Sequence, residues 1–193
     1  VETKSSNITN SGTLTITGVP TFKVVNSASI SVGSANNNFV ATPVFTATSG
    51  TIADVTITDN SALAFSALTL TGNLTATVND GTNTNGAVTQ TGVLTIPGTT
   101  TITASGSNIT LDNASNDFTG ALGVAGADVV LRDTNAVVLG ASTVSGAYTL
   151  TSGGAVTQSA PLTISGAATV SASGQNVTFN NTSNNFGTIG ATG

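Results

Sequence analysis

The sequence predicts an all-β protein, a parallel β-helix (β-solenoid) of roughly eight coils, and three observations carry this prediction. One unit recurs: the run GAVTQ at 86–90 returns at 154–158, 68 positions later and without a gap. Short segments alternate apolar and polar residues, as in Leu162-Thr-Ile164, which is the signal of a half-buried strand. No apolar stripe with the helical spacing i, i+3, i+4, i+7 is present, and the helix-favouring residues Leu, Glu, Lys and Arg are few.

The recurrence decides between two all-β architectures. Strand-like segments every seven to ten residues fit either a β-sandwich or a solenoid, and the predicted segments are 93–97, 101–105, 108–112, 128–132, 136–139, 147–151 and 155–158. A sandwich gives no reason for strands to recur 68 positions later, whereas stacked coils do. Three coils of about 22–23 residues make up one unit, and coils stack about 4.8 Å apart. The whole chain then forms a rod about 40 Å long.

Copies of the unit lie at about 13–85, 86–153 and, incomplete, 154–193, and together they form one predicted domain over 1–193. Because the chain opens without Met and stops partway through a copy, we expect a segment of a longer protein. The first copy is longer than the second, and its extra residues lie at 40–52 and 75–85. Insertions of this kind form loops on solenoids. The candidate contact residues in the second loop are Asn79, Asp80, Thr82 and Asn83.

Composition excludes several classes of function. Only 6% of the 193 residues are charged, against about 25% in an average soluble domain. With three Lys and Arg in total and a net charge of −5, the chain has no basic patch, which argues against nucleic acid and anionic membrane surfaces as partners. Because His and Cys are absent, a Ser-His-Asp triad and disulfides are excluded. No apolar run reaches 18 residues, so membrane insertion is not expected. We predict no cofactor.

Four Asp residues recur at matching places and are the candidates for a metal site. Asp54 and Asp59 return as Asp128 and Asp133, 74 positions later. Carboxylates stacked on successive coils could share Ca²⁺, which takes six to eight oxygen ligands. The alternative is that each Asp shapes a turn by hydrogen bonding to nearby backbone. We favour the turn-shaping interpretation, since no glycine-rich calcium-binding nonapeptide is present.

A second recurring set joins Asn to Phe at one predicted corner of each copy. A binding interpretation has the Asn side chains contact sugars. The structural interpretation has Asn adopt tight-turn geometry and stack as amide ladders between coils, with Phe filling the corner. We favour the structural role for this set, which comprises Asn37, Phe39, Asn116, Phe118, Asn184 and Phe186.

Two further patterns could indicate a function, and in both cases we favour a structural explanation. Pectin-cleaving enzymes use a β-helix, but they need a cluster of carboxylates, and Arg132 beside Asp133 is better explained as a solvated strand residue.

Thr-x-Thr pairs such as Thr75/Thr77 could form the flat hydroxyl arrays of ice-binding solenoids. These pairs are irregular along the chain, and Thr is a common outward-facing strand residue.

The run NITLDNASNDFTG at 108–120, DVVLRD at 128–133 and the GAVTQ runs resemble the repeats of filamentous-haemagglutinin-like exoproteins. These are large bacterial surface adhesins, many of them exported by two-partner secretion. The resemblance covers 86–186 well and 13–85 more loosely. It implies a right-handed β-helix, an extracellular location and a non-catalytic role, and it identifies no functional residue.

These observations predict a non-catalytic structural segment, an adhesin stalk or fibre, of a large secreted bacterial surface protein. The expected partners are further repeats or other copies of the chain, end to end, with host-cell or surface glycans as additional ligands. A self-assembling extracellular filament subunit is the first alternative. A polysaccharide-active enzyme is the second.

Overall fold

The computed structural model describes residues 6–78 and 86–193. In these ranges the chain is all-β, and its parallel strands stack as a β-solenoid of about eight turns, which confirms the predicted fold class. The described residues contain no helix that is long and apolar enough to cross a membrane.

The strands are short, and most turns contribute three of them. In chain order they are β1 (Ile8–Thr9), β2 (Thr15–Ile16), β3 (Thr21–Val24), β4 (Ile30–Val32), β5 (Asn38–Phe39), β6 (Val44–Ala47), β7 (Val55–Asp59), β8 (Leu63–Phe65), β9 (Leu68–Thr69), β10 (Leu74–Val78), β11 (Val88–Gln90), β12 (Leu94–Ile96), β13 (Thr100–Thr103), β14 (Ile109–Leu111), β15 (Asp117–Phe118), β16 (Ala121–Gly126), β17 (Val129–Asp133), β18 (Val137–Leu139), β19 (Ser142–Val144), β20 (Tyr148–Ser152), β21 (Val156–Gln158), β22 (Leu162–Ser171) and β23 (Asn185–Thr192).

Two long columns of parallel strands form the main sheet. One column runs through β1, β4, β7, β10, β13, β16 and β19 to β22, and the other runs from β22 through β20, β17, β14 and β11 to β8. The columns join at β22, whose first half pairs with β19 and whose second half pairs with β20. Shorter columns, such as β9, β12 and β15, complete the remaining side of the rod.

The register shows that the turns differ in length. Ile8 pairs with Ile30, Leu74 with Thr100 and Ala125 with Thr143, so a turn takes 22, 26 or 18 residues at these places. The average agrees with the predicted coil, and the differences lie in the corners between strands. A solenoid tolerates such variation because only the strands must remain in register.

Alternation along each strand produces one continuous core. In β7, Val55 and Ile57 point inward and are fully buried, whereas Thr56 and Thr58 are partly exposed. The same alternation on every turn stacks apolar side chains above one another, in a single cluster that extends from Ile8 to Ala172. Burial of this interior column is the main stabilising term of the fold.

The expected contact loop at 40–52 contains a four-residue strand. β6 lies inside this range and pairs with β3, with Phe22 opposite Phe45. Their rings stack with centroids 5.8 Å apart, and Phe22 also meets Phe39 edge-on at 5.7 Å. The loop prediction is wrong for Val44–Ala47, because the buried ring of Phe45 packs on Phe22 and extends the core there. The start of the other expected loop, 75–78, belongs to β10, and Asn79, Asp80, Thr82 and Asn83 lie outside the described residues.

Glycine forms a column of its own at one corner, where successive turns approach closely. The N–H of Gly98 donates to the carbonyl of Gly72 at 3.0 Å, and a Cβ on Gly98 would overlap that backbone. A Cβ on Gly120 would overlap the backbone of Gly98 in the same way. Any side chain at these places would push neighbouring turns apart.

We therefore predict that Gly98→Ala lowers the free energy of unfolding by about 2 kcal/mol, the usual cost of overpacking. Gly18→Ala is the matched control, because its Cβ would meet nothing within 4 Å. Urea denaturation of the two variants measures the difference. Equal stabilities would show that the glycine column does not set the spacing of the turns.

Candidate functional site

A pair of side-chain amides joins two turns at the centre of the chain. The Nε2 of Gln90 donates to Asn116 Oδ1 at 2.8 Å, and Asn116 Nδ2 donates back to Gln90 Oε1 at 2.8 Å. Asn116 Oδ1 also accepts from the Leu94 N–H at 3.0 Å, while its Nδ2 donates to the Leu111 carbonyl at 3.2 Å. We call this arrangement the amide clasp, since it ties a strand end, a corner and the next turn together.

The reciprocal clasp occurs in the second and third copies, and a single-bond version of it joins Asn10 to the first copy. In the third copy Gln158 and Asn184 exchange bonds of 2.9 and 2.8 Å. In the first copy Asn10 takes the place of Gln and donates to Asn37 Oδ1 at 3.0 Å. The shorter Asn10 leaves its own buried Oδ1 without a partner. The clasp is therefore a periodic joint of the rod.

The Asn side chains of the clasp have little surface to offer a ligand. Asn37 and Asn116 are completely buried, and Asn184 is partly exposed. The expected stacking of Asn upon Asn does not occur at Asn116, because its partner is Gln90. A buried amide whose hydrogen bonds are all made within the protein acts as a joint between turns.

A carboxylate from the next turn caps two of the Phe residues of the corner set, Phe39 and Phe118. The N–H of Phe118 donates to Asp133 Oδ2 at 2.7 Å, and the N–H of Phe39 donates to Asp59 Oδ1 at 3.2 Å. Both Asp residues belong to the next turn of the solenoid. Phe39 and Phe118 are themselves buried, so each cap satisfies a backbone donor that water cannot reach.

Burial dominates the electrostatics of the two caps. It raises the pKa of Asp59 and of Asp133 above the ordinary value, although bonds from backbone N–H groups oppose this rise. The negative charge of Asp117 raises the pKa of Asp133 further. Asp59 Oδ2 is buried and has no hydrogen-bond partner. The folded chain thus holds two carboxylates where the charged form is disfavoured.

The other two Asp residues lie at a different corner and bond to the following turn. Asp54 Oδ1 accepts from the Asn73 N–H at 2.7 Å, and Asp128 Oδ1 accepts from the Ala147 N–H at 2.8 Å. Across residues 6–78 and 86–193, no three His, Cys, Asp or Glu side chains form a group that could hold a metal ion. The structure therefore does not bring the four candidate Asp residues together as one ligand set.

The Thr-x-Thr pairs align better than the sequence indicated. Thr56, Thr75 and Thr101 are register partners on β7, β10 and β13, and Thr58, Thr77 and Thr103 form a second row beside them. The next turn places Gly123 and Ala125 in these rows, so the array ends after three turns. The irregular spacing along the chain reflects turns of unequal length.

Two shallow grooves lie on the described surface. One groove of about 170 Å³ is lined by polar residues, Arg132 and Thr151 among them. Another of about 200 Å³ is lined mainly by Ser, Thr, Gly and Ala, and Ser145 lies in it. Neither contains a cluster of chemically reactive side chains.

Comparison with known proteins places the chain in a repeat family. Residues 52–125 and 126–192 each match the family described as repeats of unknown function (DUF5649). The chain belongs to this family. Its two matched units begin 74 residues apart, the same offset that separates Asp54 from Asp128. No curated protein and no solved structure matches the chain.

Sequence reasoning missed the role of Gln90 and Gln158, the last residues of the GAVTQ runs. Each Gln precedes the Asn of its clasp by 26 residues, in both copies. A polar residue recurring at a fixed distance from another recurring polar residue was the available signal. Its meaning depends on the turn length, which brings the two side chains together.

We predict that Asn116→Ala lowers the free energy of unfolding by about 3 kcal/mol, because it leaves the partly buried Gln90 amide and the buried Leu94 N–H without partners. Asn184→Ala removes three of the four equivalent hydrogen bonds at a partly exposed position where water can replace them, and it should cost less than half as much. Chemical denaturation compares the variants. Equal losses would contradict a specific role for the buried clasp.

The two caps predict a defined pH dependence. The pKa of Asp59 and of Asp133 is raised in the folded state. Their contribution to the free energy of unfolding is therefore complete below the pKa of the unfolded state, and it is lost as pH rises through the pKa of the folded state. The stability difference between the parent chain and an Asp59→Asn/Asp133→Asn variant should therefore favour the parent more at about pH 4 than at about pH 7. Denaturation at both pH values measures it. A difference that grows towards neutral pH would contradict the assignment.

Proposed function

We propose that this chain is a non-catalytic structural segment, a rigid rod within a large secreted bacterial surface protein. The observation that carries the proposal is the parallel stacking from β1 to β23 around one core, with side-chain amide pairs that join successive turns at three places. The rod holds an attached binding region, or its own flank, away from the cell.

The mechanism is mechanical. Each turn contacts mainly its neighbours, so stability adds up along the axis turn by turn. Backbone hydrogen bonds between turns lie along the rod, and axial tension loads all the bonds of one turn together. The side-chain hydrogen bonds of the clasp, including the pair between Gln90 and Asn116, carry part of that tension. About eight turns at about 4.8 Å make a rod about 40 Å long.

The surface location rests on two supports. Membership of a repeat family fits a protein built from many such units in series. The likeness of 108–133 to filamentous-haemagglutinin-like repeats adds an extracellular setting, with adhesion to host-cell or surface glycans as the wider role. The outward positions of the strands are largely Thr and Ser, which make the flank polar without charge.

A filament subunit is the second candidate, and one observation favours it. β23 is an eight-residue strand with exposed residues, and it pairs with β22 on one side. Unprotected strand edges of this length associate with other chains. For the third interpretation, a polysaccharide-active enzyme, we find no support in the described residues, since Asp59 and Asp133 are buried caps.

Negative-stain electron microscopy of the purified chain at neutral pH separates the first two candidates. The stalk proposal predicts monodisperse rods about 40 Å long. Long fibres would contradict it and support the filament. Ile189→Lys places a charge on the β23 edge and serves as the matched variant, because it should abolish any fibres that grow from that edge.

Location needs a separate measurement. Antibodies raised against the chain should label intact cells that express the parent protein, and protease added outside those cells should remove the label. Labelling only after the cells are opened would contradict the surface role.

A further inference from the structure

We propose that one flank of the rod binds ice, through two rows of outward-facing Thr side chains on β7, β10 and β13. The ligand is a crystal lattice of water, in which the oxygen atoms repeat at fixed distances. This inference goes beyond the proposed structural role, because it gives one side of the rod a ligand of its own. We call this surface the Thr face, and it consists of Thr56, Thr58, Thr75, Thr77, Thr101 and Thr103.

The first observation is the alignment of the Thr face across successive turns. Thr75 pairs with Thr56 on one side and with Thr101 on the other, and the second row lies two residues further along the same three strands. The first row continues for two more turns, since Ser31 pairs with Thr56 and Thr9 pairs with Ser31. A hydroxyl group therefore occupies the same place on five successive turns.

The second observation is the spacing of these hydroxyls, which the backbone sets in both directions. Neighbouring strands lie about 4.8 Å apart, and residues i and i+2 of one strand are about 6.6 Å apart. Both distances are close to repeat distances between oxygen atoms in hexagonal ice. The β-branched Thr side chain has few rotamers, so binding orders little that is not already ordered. A rigid array of this kind suits a ligand that is itself a lattice.

The third observation is that the hydroxyls of the Thr face have no partner inside the protein. In residues 6–78 and 86–193, none of the six makes a hydrogen bond to another protein group. Thr residues at the corners differ, because Thr71 Oγ1 donates to the Ile52 carbonyl at 3.3 Å and Thr91 Oγ1 donates to the Phe65 carbonyl at 3.4 Å. Since the Thr face is partly or fully exposed, its donors and acceptors are available to water.

The fourth observation is the chemistry of the strands around the Thr face. Other columns carry charge at outward positions, as with Lys23 on β3 and Arg132 on β17. No Lys, Arg, Asp, Glu or aromatic residue occupies an outward position on β1, β4, β7, β10, β13, β16 or β19. A charged group holds its own hydration shell and would disturb a lattice of water. Sugar chains stack on aromatic rings, which this surface lacks, so its composition favours ice over a polysaccharide.

The test uses the purified full chain and measures two effects of ice binding. One is thermal hysteresis, the gap between the melting and freezing temperatures of a single ice crystal, and the other is uptake of the protein into slowly growing ice. We expect the parent chain to show both. Thr75→Tyr places a ring in the centre of the Thr face and should abolish both effects.

Thr149→Tyr is the matched control. Thr149 is an outward-facing residue of β20, on another column, where it pairs with Val130 and Thr169. This variant should keep the thermal hysteresis and the ice uptake of the parent. Thr101→Tyr is a second variant of the Thr face, at a position that is exposed, and it should lose both effects. Urea denaturation shows which variants are folded, so that loss of ice binding is compared among folded proteins.

Three results would overturn the inference: a parent chain that stays out of the ice and gives no thermal hysteresis, folded Thr75→Tyr and Thr101→Tyr variants that act like the parent, or an equal loss in Thr149→Tyr. Binding of the parent to insoluble cellulose without any effect on ice would also overturn it, in favour of a polysaccharide ligand. Rods seen by microscopy would remain intact in all these cases, so the proposed structural role would stand separately.

Discussion

Register between successive turns is the constraint on which the rest of the structure depends. Side chains alternate in and out along each strand, so a slip of one residue would turn the apolar set towards water. Backbone hydrogen bonds alone do not select one register over another. The amide clasp does, because Gln90 meets Asn116 only when the intervening turn has its observed length. The glycine column limits the spacing at another corner, where Gly98 lies against Gly72.

These joints also explain how a chain with 6% charged residues can hold a defined shape. Buried polar groups are costly unless their partners are in place, so the clasp and the carboxylate caps penalise any misaligned stacking. The exposed flank carries little chemistry by comparison, apart from a Thr array on three turns. The structural specificity of the chain is concentrated between its turns, and this suits a rod whose function is to keep its length and direction.

Much of the fold followed from the sequence, because the two-residue alternation marks the strands and the 68-residue recurrence indicates that they stack. The segments predicted at 93–97 and 108–112 contain β12 and β14. β16 was missed because Ala121–Gly126 is rich in glycine and small residues, and Gly123 fits there since the backbone of Ala141 lies close. β6 and the Gln half of the clasp were missed for another reason, as both depend on turn length. Unequal turns bring residues together that no constant period predicts.

An engineered disulfide tests the register most directly, since the chain has no cysteine of its own. Thr75 and Thr101 are outward-facing partners on β10 and β13, at the neighbouring-strand spacing of about 4.8 Å. This lies within the Cα separation of about 4.4–6.8 Å that a disulfide spans. A Thr75→Cys/Thr101→Cys variant should therefore crosslink rapidly under mild oxidation, and a Thr75→Cys/Thr103→Cys variant, displaced by two residues, should not. Equal crosslinking of both pairs, or of the displaced pair alone, would contradict the stacked register on which the core and the clasp depend.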